Sequence, residues 1–121
     1  MKIVYNHIIP IGCKCMCVYP FIFTRSKRLS DTDIRHETIH GEQQLELLIL
    51  PFFLLYIAFY IINVILCVFD KKRGYSEKHR NNGVFKRAYL SIAFEQEAYE
   101  NEKDATYLDN RKCYAWVKYL F

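Results

Sequence analysis

The sequence predicts one α+β domain, mainly α, spanning residues 1–121. Three observations carry this expectation. The first 24 residues are rich in Ile, Val, Tyr, Phe and Cys around a Pro-Gly turn signal. Ser30 with Asp33 gives a helix-start signal, and a later stretch from Val84 carries helical spacing. At 121 residues the chain is the size of one domain, and 52% hydrophobic with 17% aromatic content excludes disorder. A net charge of +4 is too modest to argue for a nucleic-acid partner.

Lys2–Ile9 and Cys13–Thr24 read as two strands, with Pro10-Ile11-Gly12 as the hairpin turn between them. Pro20 predicts an edge position or a bulge, because proline cannot donate to a sheet. Asn6 and His7 interrupt the apolar run near Met1, so no signal-peptide core forms there. Cys13, Cys15 and Cys17 alternate and so share one strand face. C-x-C-x-C lacks the paired C-x-x-C of zinc knuckles, and with Cys67 and Cys113 it gives an odd total. Small strand residues in a reducing, cytoplasmic compartment are the expectation, with a thiolate cluster as the alternative.

Ser30 with Asp33 three residues later predicts a capped helix from Asp31 to about Leu50. Pro51 should kink or restart it, and Phe52–Phe69 should continue as an all-apolar helix. Asp70–Gly83 reads as a polar loop, Val84 to about Asp109 as a second long helix antiparallel to the first, and Tyr114–Phe121 as a short aromatic tail.

The chemistry lies in His36-Glu37-Thr38-Ile39-His40. On a helix, His36 and His40 at i and i+4 stack on one face and can share a Zn²⁺ ion, with Glu37 beside the metal's water. Gln43 falls on the His40 face three residues on. A catalytic zinc keeps three protein ligands and one open position. At about 100° per residue, Val84, Ala88, Ile92, Ala98 and Tyr99 share a face of the later helix, and Glu95 sits in its middle. A carboxylate on an apolar face is costly unless paired or metal-bound, which selects Glu95 as the third ligand. The alternative is a buried Glu bonded to a neighbouring Arg or Tyr. Glu97, near the opposite side, and Glu100, off the stripe, read as solvated.

His36-Glu37-x-x-His40 on one helix and Glu95-x-x-Ala98 on a later one resembles the gluzincin pattern of zinc metallopeptidases. It is most similar to minigluzincins and CAAX prenyl protease-like enzymes. It also resembles short bacterial proteins in which an H-E-x-I-H-x-x-Q-Q helix runs into an apolar segment. The matching motifs cover about residues 30–50 and 90–105, under half of the chain. The resemblance implies one zinc per chain on His36, His40 and Glu95, Glu37 as general base, and a peptide or protein substrate aligned by the hairpin's edge strand. It departs at Tyr99, where prenyl protease-like enzymes usually carry an Asp that orients a ligand histidine. Gln43, Tyr99 and Asp104 are the candidates to support the ligands, with Asn101 as a further substitute for the missing Asp.

From Leu47 to Phe69 no residue is charged, and the 23-residue run exceeds the ~20 that cross a bilayer. Three Lys/Arg precede it within 20 residues and seven follow, which by the positive-inside rule puts the C-terminal side in the cytoplasm. A simple span would separate His36 and His40 from Glu95. Peripheral or monotopic lipid association is therefore expected, with Trp116, Tyr119 and Phe121 as interfacial anchors and a core-packing tail as the alternative. A single-pass crossing holds only if Glu95 is not a ligand, and homodimerisation through the apolar helix would also cover it. Two other functions stay open: a non-catalytic, zinc-stabilised binding or regulatory protein in which Glu37 is idle, and a small bitopic membrane protein whose H-E-x-x-H is coincidental.

Overall fold

Ser30 opens the helix that organises the molecule. Its hydroxyl accepts from the Asp33 amide at 3.1 Å, and the Asp33 carboxylate accepts from the Ser30 amide at 3.2 Å, so two orphan donors are satisfied reciprocally. Helix α1 runs Asp31–Leu47. It stops three residues short of the expected end because Leu48 takes a positive φ of 61°. Helix α2, Ile49–Phe69, restarts at once, with Pro51 in its first turn, where a missing N–H breaks no helical bond. The structure is a computed structural model that describes residues 2–8, 14–69 and 83–120.

The class is α+β, mainly α, but the sheet differs from a simple hairpin. Strands β1 (Lys2–Tyr5), β2 (Cys15–Val18) and β3 (Phe21–Thr24) lie in the order β1-β3-β2. β1 pairs parallel to β3, in register from Lys2–Phe21 to Tyr5–Thr24, and β2 pairs antiparallel to β3. The hairpin thus forms one step later than expected, between β2 and β3. Pro20 sits at its tip after a cis peptide bond, not on an edge or in a bulge. The expected Pro10-Ile11-Gly12 turn lies outside the described residues. β3 takes the centre because Ile22 and Thr24 alternate inward and are fully buried. β2 is left as the edge against α1, where Gln44 accepts from the Tyr19 amide at 2.7 Å and donates to the Cys17 carbonyl at 2.9 Å.

The long helix expected over Val84–Asp109 is three: α3 (Val84–Leu90), α4 (Ala93–Asn101) and α5 (Tyr107–Asn110), followed by a 3-10 helix, Ala115–Tyr119. Ile92 adopts an extended backbone between the first two. Gln96 supports the break by donating to the carbonyls of Ser91 (2.8 Å) and Tyr119 (3.3 Å). β-Branched Ile92 has little helical preference, and burying its whole side chain offsets an interruption of two residues, Ser91 and Ile92.

The chain returns along α2. Arg87 reaches the Cys67 carbonyl, Asn63 donates to Ala88, Tyr56 to Glu95, and Phe52 packs on Phe94, so contacts step down α2 as they step up α3 and α4. Glu95 is thereby carried back to the level of α1, and a simple span with α1 and α4 on opposite sides is not the path taken. The core is Phe52, Ile92, Ala93, Phe94 and Trp116, with Tyr119 packed against it. Trp116 is 7% exposed, its ring 4.8 Å from Phe94. Trp116 is therefore a core residue instead of an interfacial anchor, Tyr119 is half-buried against the core, and Phe121 lies outside the described residues. The opposite side of α2 is bare: Leu50, Leu54, Ile57, Ile61, Ile65 and Val68 form one exposed stripe. By length and composition α2 is apolar enough to cross a membrane, and only 17% of its most apolar window is buried.

Candidate metal centre

α1 presents His36 and His40 one turn apart on its inner face, and α4 brings Glu95 against them. The His36 and His40 Nε2 atoms are 3.2 Å apart, and Glu95 Oε1 lies 3.2 Å from the first and 2.7 Å from the second. The three residues are 8%, 7% and 3% exposed. Each imidazole is held from behind: His36 Nδ1 meets Glu102 Oε2 at 2.7 Å, and His40 Nδ1 meets Gln43 Oε1 at 2.8 Å. Both partners are acceptors, so each Nδ1 carries a proton and each ring turns its Nε2 towards Glu95. Tyr56, from the apolar helix, donates to the second Glu95 oxygen at 3.0 Å.

Burial alone would hold His40 neutral, but the Glu95 carboxylate beside it, with Glu37 and Gln43, overcomes that and pushes its pKa up to about 10. The converse applies to Glu95. Burial raises it, and His40 and His36 more than offset this, leaving it well below the usual carboxylate range. Two imidazole nitrogens and a carboxylate oxygen converging within 4.8 Å form a group that could hold a metal ion. The donor set, with both rings fixed from behind, fits such an ion.

Glu37 is buried and lines a cavity of about 680 Å³ together with His40 and Glu95. Burial raises the Glu37 pKa, opposed in part by His40 and His36. The Cys15 thiol of β2 donates to Glu37 Oε1 at 3.5 Å. Cys17, on the same strand face, is buried, and burial with nearby Glu37 pushes its thiol up to about 12, so it is a neutral lining residue and not a thiolate ligand. Phe52, Phe53 and Tyr56 of α2 and Tyr89 and Tyr99 complete an aromatic wall.

Of the supporting residues expected from the sequence, Gln43 is brought to His40. Tyr99 packs its ring edge-on to His36, centroids 4.5 Å apart, with its hydroxyl 3.4 Å from that of Tyr89. Asp104 is not brought to the site: it is exposed and accepts from the Thr106 amide and hydroxyl. Asn101 is turned to the Glu97 carbonyl. Glu102 holds His36 instead, and its signal was spacing, since seven residues after Glu95 is two helical turns on the same face. Glu97 is not solvated. It is fully buried and receives Arg111, Tyr107 and Gln43, a partnership that depends on a turn no local pattern announces. Glu100 is exposed, as expected.

No protein-family model, curated protein or solved structure matches this chain.

Proposed function

We propose that the protein is a zinc-dependent metallopeptidase resting on a membrane surface, with one zinc per chain held by His36, His40 and Glu95. The observation that supports this most is the convergence of those three donors beside a cavity lined by His40, Glu95 and Glu37. Two imidazoles and one carboxylate leave a fourth position open, the ligand set of catalytic zinc. Zinc there would supply a water acidified to a pKa of ~7 and a Lewis acid for a carbonyl.

The chain's own residues do the rest. Glu37, buried and biased towards holding a proton, takes one from the attacking water and returns it to the leaving amine nitrogen. The Tyr89 and Tyr99 hydroxyls on the same wall are the donors offered to the tetrahedral oxyanion, an interaction worth roughly 3 kcal/mol where measured. Phe52, Phe53 and Tyr56 give the peptide an aromatic surface and keep water from the reacting centre. Gln44 already occupies the outer edge of β2 at Cys17 and Tyr19, which limits how far along that strand a peptide can pair.

The bare stripe of α2 fits lipid, and residues 70–90, with seven basic and two acidic groups, favour an anionic headgroup layer. Because the chain returns along α2, the helix lies in one leaflet, on the cytoplasmic side where the thiols stay reduced.

The test is metal analysis of freshly purified protein. About one zinc per chain is expected, lost or weakened in His40→Ala and Glu95→Gln; wild-type protein without metal would sink the proposal. Glu37→Gln should keep zinc and abolish cleavage of a peptide library. If it cleaves at the wild-type rate, Glu37 is not the base.

A further inference from the structure

We infer that Glu97 and Arg111 are positioning residues that hold metal ligand His40 in the tautomer a metal requires, acting through the orientation of the Gln43 amide. The inference rests on the metal-site reading above and adds to it the second half of the chain's C-terminal region.

Gln43 is fully buried between α1 and α4. Its Nε2 donates to the Phe94 carbonyl and to Glu97 Oε1, both at 3.0 Å. Both neighbours are acceptors only, so the amine end of Gln43 must face them. Its oxygen is then fixed against His40 Nδ1, which can only be protonated there, and the Nε2 lone pair is left for the metal. A flipped Gln43 would oppose three acceptors in one place and present an N–H to Nδ1, favouring the wrong tautomer.

Glu97 has no freedom to relieve such a flip. Its Oε2 accepts from Arg111 Nε at 2.5 Å and from the Tyr107 hydroxyl at 2.7 Å, while Oε1 accepts from Arg111 Nη2 and Gln43, both at 3.0 Å. Four donors fill its lone-pair sites. Arg111 also binds Glu46 at 2.9 Å, and the Tyr114 amide donates to the same Glu46 carboxylate, so the segment from Tyr107 to Tyr114 is tied to the end of α1. The ordered path is Glu46, Arg111, Glu97, Gln43, His40. A purely structural clasp would need the Arg111–Glu97 fork but not a Gln43 amide trapped between Glu97 and His40.

The test compares zinc affinity, by chelator competition, in wild type, Gln43→Leu, Glu97→Gln and the exchanged pair Gln43→Glu/Glu97→Gln. Long-range ¹H–¹⁵N spectra of the zinc-loaded proteins report the His40 tautomer. Gln43→Leu and Glu97→Gln should each lose about 10–100-fold in affinity and the single protonated Nδ1 signal of His40. The exchanged pair restores an acceptor at Nδ1 but sets a carboxylate against the Phe94 carbonyl and an amide NH2 against Arg111 Nη2, so it should regain the single Nδ1 signal of His40 while recovering only part of the affinity. Far-UV circular dichroism identifies any variant that fails to fold; if Glu97→Gln does, Gln43→Leu and the exchanged pair decide. Folded variants with wild-type affinity and tautomer would overturn the inference and leave the metal site standing. Wild-type protein that takes up no zinc would overturn both.

Discussion

Glu102 Oε2 lies 2.7 Å from Nδ1 of His36 and so occupies the role that the sequence pattern assigned to the position of Tyr99. The separate Arg35 contact to the Glu102 main-chain carbonyl, at 2.7 Å, fixes the helix end independently of that side chain. Glu102→Ala should therefore weaken zinc binding by about 10–100-fold while changing unfolding free energy by only about 1 kcal/mol. Chelator competition and a urea melt of the same preparation check the two halves.

The metal-free site holds a proton that a metal must displace. Glu95 keeps the His40 pKa at about 10 against the opposing effect of burial, so at pH 7.5 His40 is an imidazolium. Zinc needs the neutral ring, and uptake at that pH should release close to one proton per ion. The sign is fixed: apparent affinity rises with pH across the range below the folded pKa and levels off above it. In the metal-free protein the raised His40 pKa contributes stability that is present below the unfolded histidine value and lost as pH rises through the folded one. Proton release is read with an indicator in weakly buffered solution, and uptake without release would show that His40 is not a ligand.

The capping box at Ser30, the restart at Pro51 and the two histidines one turn apart were legible because each rests on contacts within four residues. Glu95 was also legible, although the helix used to find it is broken at Ile92, because its place on the apolar face of its own short helix survives the break. Strand order was not. β1 has no signal that distinguishes a parallel partner in β3 from an antiparallel one in β2, since both present alternating apolar residues. Glu97 was misread for a related reason. Its burial is set by Arg111, fourteen residues on, and a carboxylate's cost depends on a partner that helical periodicity cannot see.

Tyr56 joins the apolar helix to the metal centre through its 3.0 Å bond to Glu95 Oε2. Tyr56→Phe keeps the ring against Phe52 and Phe94 and deletes only the donor. Unfolding free energy should fall by about 1 kcal/mol, and zinc should bind a few-fold more weakly as Glu95 gains freedom to turn. Calorimetry with and without zinc separates the two effects: the shift in melting temperature on adding zinc should be smaller in the variant. An unchanged shift would place Tyr56 in packing alone.

Lipid contact and core packing fall on opposite sides of α2, and two substitutions separate them. Ile61 lies on the bare stripe at 54% exposure, whereas Trp116 is packed on Phe94 and Phe59. Ile61→Glu puts a charge where the proposal puts acyl chains, so it should reduce sedimentation with vesicles containing anionic lipid by at least ten-fold. More than half of Ile61 is already exposed, and the melting temperature without lipid should stay within a few degrees. Trp116→Ala empties part of the core and should cost about 3–5 kcal/mol while the folded fraction still binds vesicles. A stripe used between two copies would show the opposite pattern: a dimer in detergent-free solution that Ile61→Glu splits, and wild-type protein left in the supernatant at every lipid composition.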